Sequence, residues 1–144
     1  MDERLALLLG GDLYLAHRYA RAAANRALRQ HQVDLRHLGV LGQLAEAGPV
    51  PQVELVDRLQ MDKSSMVYVI DELERQGLVD RRRDGHDRRR YAVHITEEGR
   101  ARREEATRTA AKAMTDLLAP LSPADQRQLH GLLTRFIEHA AREA

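Results

Sequence analysis

Six arginines stand within ten residues, from Arg81 to Arg90, with two aspartates among them. The run carries a net +4 in a chain whose formal net charge is +1, so the remaining residues sum to −3. Clustered guanidinium groups suit nucleic acid, because each phosphate they neutralise releases condensed counterions. A solvated, arginine-rich turn has the same composition, so the run gains meaning only from what precedes it. Upstream, Lys63, Ser64 and Ser65 offer donors suited to phosphates or base edges near a helix N-terminus. A serine beside a lysine also has the composition of an activated nucleophile. No nucleophile elbow, phosphate-binding glycine loop, dinucleotide fingerprint or His-Glu-x-x-His accompanies it, and the sequence predicts no enzyme.

Seven histidines raise a metal reading. Asp34 with His37, and His139 with Glu143, have spacings that share a helical face. Neither pair has two further ligands close by, and the chain has no cysteine, so no metal site and no cofactor are expected. The missing cysteine also excludes disulfides within this chain and is compatible with a cytoplasmic protein. No basic segment followed by an apolar one opens the chain, and no apolar run approaches the ~18 residues of a membrane span.

The elements that must position the charged run are legible in the periodicity. Asp62 suits an N-cap, and Met66, Val69, Ile70 and Leu73 recur at i, i+3, i+4 and i+7 as one apolar helix face. Gly77 suits the left-handed C-terminus of that helix. Val79–Arg83 and Tyr91–Ile95 alternate as two strands around a polar tip at Asp84, Gly85 and His86. A capped helix followed by a basic hairpin is the layout of a winged helix, with the helix in a major groove and the hairpin along the backbone beside it. A short helix from Gln52 to Leu59, with Val53, Val56 and Leu59 on its apolar side, completes a helix-turn-helix. Pro51 leaves that helix without a hydroxyl cap.

The flanks are helical as well. Gly10-Gly11 is read as interrupting an apolar stretch, after which a helix runs from Asp12 to Gln30. Its alanine-rich face, through Ala16, Ala20, Ala24 and Ala27, suits a partner helix of this chain or of another subunit. Asp34 to Ala47 is a helix with Leu38, Leu41, Leu44 and Ala45 inward. Thr96 caps a helix to about Ala119 whose charged middle, Arg100 to Arg108, reads as a solvent-spanning connector. Ser122, Pro123 and Asp125 start a last helix with a broad stripe: Leu129, Leu132, Leu133, Phe136, Ile137 and Ala140. That stripe needs a partner. At 144 residues with 43% apolar composition, one domain is expected, its core built mostly of Leu, Val and Ala.

From Val50 to Arg100 the chain resembles the MarR family of bacterial transcriptional regulators. The stretches GLVDR (77–81), DGHDRR (84–89) and ITEEG (95–99) carry the resemblance, and the order of flanking helices fits. It implies a mainly α protein with a small β-hairpin wing, a winged helix-turn-helix at 34–95 flanked by dimerisation helices at 12–30 and 122–142, with 96–119 connecting them. It implies a homodimer on a pseudo-palindromic operator in double-stranded DNA. The DNA-binding set is then Lys63, Ser64, Ser65, Val67, Tyr68, Arg81, Arg82, Arg83, Asp87, Arg88 and Arg89. Within it Arg89 matches the family's minor-groove arginine and Asp87 the carboxylate that orients it, although Asp87 also suits a plain turn residue. Val67 and Tyr68 depart from the family's usual polar residue and arginine. Val67 suits a thymine methyl, and Tyr68 a phosphate or a base. Many relatives bind small, often phenolic or anionic, molecules between the dimer helices and the winged helix. Tyr14, His17, Arg18, His31, Arg36 and His37 are placed near such a cleft. The expected function is a repressor relieved by a small-molecule effector. A winged-helix protein-interaction module and a histidine-based metal sensor are the alternatives.

Overall fold

The computed structural model describes residues 1–83, 85 and 91–144. Helices α1 (Glu3–Leu28) and α2 (Leu35–Ala47) are joined through a 3-10 turn at Arg29–His31. A two-residue strand β1 (Val50–Pro51), helices α3 (Gln52–Leu59) and α4 (Lys63–Arg75), and strands β2 (Val79–Arg83) and β3 (Tyr91–Ile95) follow. Helices α5 (Glu97–Leu117) and α6 (Pro123–Glu143) end the chain. The fold is thus mainly α with a small antiparallel sheet ordered β1-β3-β2.

The core gathers where the winged helix needs it. Met66, Val69, Ile70 and Leu73 of α4 are fully buried against Leu41 and Leu44 of α2, Leu55 of α3, Leu78, and Val79 and Val93 of the sheet. Helix α4 starts where Asp62 accepts the Ser65 N–H, and it stops in a Schellman turn. There the Leu78 N–H reaches the Leu73 carbonyl, the Gly77 N–H reaches that of Glu74, and Gly77 takes φ of 74°. The two wing strands pair in the register Val79↔Ile95, Arg81↔Val93, Arg83↔Tyr91, and their Val79 and Val93 join the α4 stripe in the core.

The ITEEG stretch earns its residues physically. Thr96 accepts the Gly99 N–H as the cap of α5 and donates its hydroxyl to the Gly77 carbonyl. A Cβ at Gly99 would collide with the Leu78 carbonyl oxygen, so only glycine allows α5 to leave the sheet this closely.

Four expectations change. Helix α1 begins at Glu3, with Asp2 accepting the Leu5 N–H, and runs unbroken through Gly10-Gly11. Two interior glycines cost about 1 kcal/mol each, and the leucines and alanines around them keep the helix. The charged middle of α5 is no solvent-spanning connector: α5 packs along α1 and α2, with Ala106 in the core. Val53 faces solvent at 62% exposure, and Leu55 takes its place in the core. A third strand exists, because Val50 and Pro51 pair with Val93 and Ala92. Its proline fits the sheet edge, where no ladder donor is needed. As the sequence implied, Pro51 stands at the N-cap of α3 and gives it no side-chain cap.

Candidate nucleic-acid interface

Burying Met66, Val69, Ile70 and Leu73 turns the opposite side of α4 outward. Lys63, Ser64, Val67 and Tyr68 are exposed there. Lys63 forms no ion pair among the described residues. Ser65 sits closer in. Its hydroxyl donates to Asp62 at 2.8 Å while its N–H donates to the other carboxylate oxygen. These two bonds, the backbone one first, hold the Asp62 carboxyl below its usual range. Ser65 therefore serves the helix start before it serves any base.

Tyr68 has a neighbour that sequence placed elsewhere. The Arg36 guanidinium lies 5.8 Å from the Tyr68 ring centroid while bonding the Asp34 carboxylate at 3.0 Å. Arg36 thus belongs beside the exposed face of α4. Asp34 accepts the Arg36 and His37 N–H groups as the N-cap of α2. Burial disfavours its charge, but the hydrogen bonds of His37 and Arg36 prevail and hold the carboxyl far below its usual range. The His37 ring, 7% exposed, completes a capping box by accepting the Asp34 N–H at Nδ1. Its Nε2 is buried with no partner among the described residues.

The wing arginines differ among themselves. Arg81 is 24% exposed and is held from three sides: Asp71 at 2.6 Å, Glu74 at 3.1 Å and Gln52 at 3.1 Å. Its charge is spent on tying β2 to α3 and α4. Arg82 is outward and pairs with Asp80 on its own strand at 2.8 Å. The Arg83 guanidinium lies over the Tyr91 ring at 5.4 Å. Asp87, Arg88 and Arg89 lie outside the described residues.

The proposed effector set does not come together. A cleft of about 430 Å³ opens between α1, α5 and the start of α2, lined by His17, Ala20, Arg21, Leu35, Thr107 and Met114 among others. Of the six sequence-derived residues only His17 lines it. Tyr14 and Arg18 stand exposed on α1. His31 bonds the Thr109 hydroxyl at 2.7 Å, and Arg36 and His37 lie at the cap of α2. Sequence missed Arg21 and Thr107, which periodicity alone leaves among many equivalent polar positions. It also missed Arg102, whose guanidinium donates to the His31 carbonyl and to Gln76, joining α5 and the 3-10 turn to the C-terminus of α4. Among the described residues no three His, Asp or Glu side chains meet in a metal-holding group. None of the described helices is long and apolar enough to cross a membrane.

A family model described as MarR family matches residues 31–90. The HTH-type transcriptional regulator YkoM of Bacillus subtilis (strain 168) is 30% identical over 115 residues, covering 80% of this chain and 75% of YkoM. The chain belongs to the MarR family. Another B. subtilis regulator, YdgJ, is 31% identical over 99 residues, and this chain spans only 60% of its length. Among solved structures, a probable transcriptional regulator from Pseudomonas aeruginosa is 31% identical with a TM-score of 0.77, covering 88% of this chain and 95% of that one. A MarR-family regulator from Rhodococcus sp. RHA1 is 28% identical, with a TM-score of 0.79 and coverage of 92% and 94%. This member is a winged-helix transcriptional regulator of that family.

Proposed function

We propose that this MarR-family chain is a cytoplasmic, homodimeric repressor that binds a pseudo-palindromic operator and is released by a small anionic or phenolic effector. It is a binding protein and no enzyme. The observation that carries DNA reading is the outward face of α4, where Lys63, Ser64, Val67 and Tyr68 stand clear of the buried stripe. The unmatched apolar surfaces at both chain ends support the dimer. Leu5, Leu8, Tyr14 and Leu15 of α1 and Leu132, Phe136 and Ile137 of α6 are exposed within one subunit, and patches of that kind call for a partner. The residues at 12–30 and 122–142 are the dimerisation helices on this reading, extended by the earlier start of α1. The cleft between α1 and α5 supports the effector, since the Arg21 guanidinium, with His17 and Thr107 as polar groups, stands on a mostly apolar lining.

Selection of bound duplexes from a random pool tests the reading. The expected product is a two-fold symmetric sequence with half-sites about one helical turn apart. A pool that returns nothing above random DNA defeats it.

A further inference from the structure

A notch of about 390 Å³ lies between α3 and the first two turns of α4, lined by Gln52, Val53, Val56, Asp57, Lys63 and Val67. Val53 and Val67 are 62% and 45% exposed, two branched aliphatic side chains left to solvent on adjoining helices. Val56, partly buried on the core, is the inner wall. The notch is continuous with the DNA-reading face, because Lys63 and Val67 belong to both. Whatever occupies that face therefore meets the notch. Asp57 on the rim disfavours a phosphate inside it, while Lys63 can still meet one at the edge. Among the groups that base pairs present in the major groove, the thymine 5-methyl is the apolar one. We propose that Val53 and Val67 together form a thymine-methyl reader, so that α3 as well as α4 sets base preference. This deepens the DNA-binding reading and rests on it.

The test begins with a duplex selected from a random pool by the full chain. Each thymine is then replaced singly by deoxyuracil, which deletes the 5-methyl and leaves the hydrogen-bonding edge in place. By anisotropy titration at fixed salt, the chain should prefer thymine by about fourfold at one or more positions in each half-site, the scale expected for one buried methyl. Val53→Ala and Val67→Ala should each bring that ratio towards one at the same position and leave other positions alone. Val53 is exposed, so Val53→Ala should keep the parent's circular dichroism and unfolding midpoint, which separates lost reading from lost folding. A ratio of one at every thymine, or a preference that survives Val53→Ala, overturns the proposal. A pool that yields no preferred sequence instead overturns the DNA-binding reading, and the proposal falls with it.

Discussion

Arg81 donates to Asp71, Glu74 and Gln52 at once, so its guanidinium is committed inside the subunit. Arg81→Ala should lower stability by about 1 kcal/mol, reduced from buried-pair values because both carboxylates are partly exposed. Urea unfolding measures this, and the salt slope of DNA affinity should stay unchanged. Arg82→Ala should do the reverse. Its pair with Asp80 is surface-exposed and cheap to exchange for a phosphate, so stability holds and the slope falls by about one per site. Equal salt slopes in the two variants would contradict this division. Asp34 is the other residue whose surroundings dictate a result. Its carboxyl is held below the usual range, so the stability it contributes is complete above that range and fades as pH falls through it. Asp34→Ala should cost about 1 kcal/mol at neutral pH as a lost N-cap. That gap should narrow below about pH 4, the ordinary aspartate region. Unfolding free energies of parent and variant at both pH values check the sign, and a gap that widens in acid would show that the carboxylate is not the stabilising form.

Helix α6 has a capped start, an apolar stripe and no buried residue. In one subunit its stripe does nothing for the core, whereas the stripe of α4 is the core. Phe136→Lys should therefore leave a folded subunit that sediments as a monomer and loses specific DNA binding. Met66→Asp should unfold the subunit outright, because it buries a charge. A Phe136→Lys chain that remains a dimer would place dimerisation elsewhere. This contrast marks how far the sequence is legible. Helix α4 is readable because burial on one side only leaves a clean i, i+3, i+4, i+7 trace, and its cap and its glycine stop are local chemistry. The packing of α5 is not readable from hydropathy, since Arg102 buries its stem and satisfies its head on the His31 carbonyl and Gln76 across 71 and 26 residues. Val53 misled for the opposite reason: an apolar residue at helical spacing reads as core, yet α3 turns it towards the open side of the helix-turn-helix. The cleft proposed for the effector is least legible, because it exists only once α1, α2 and α5 meet.

Across the whole molecule, charge is unevenly spread: +4 from Arg81 to Arg90 against −3 for the rest. Part of that excess is already neutralised within the subunit, Arg81 by Asp71 and Glu74, and Arg82 by Asp80. The distal part of the run holds Arg88, Arg89 and Arg90 beside Asp87. Two accounts of that distal stretch give opposite signs for one substitution. If the wing is simply a basic patch, Asp87→Ala adds one positive charge per subunit, and the phosphate backbone should be bound more tightly. If Asp87 instead orients Arg89 towards a narrow, A·T-rich minor groove, Asp87→Ala should weaken binding although it removes a repulsive charge. Arg89→Ala should then cost about 1–3 kcal/mol per subunit and relax preference at the outlying A·T positions of each half-site. Asp87→Ala should reproduce part of that loss, and the double variant should be little worse than Arg89→Ala alone, because the aspartate acts only through the arginine. Affinity of the four chains for one selected duplex at fixed salt decides the matter. Tighter binding by Asp87→Ala would remove the positioning role and leave the wing as charge alone.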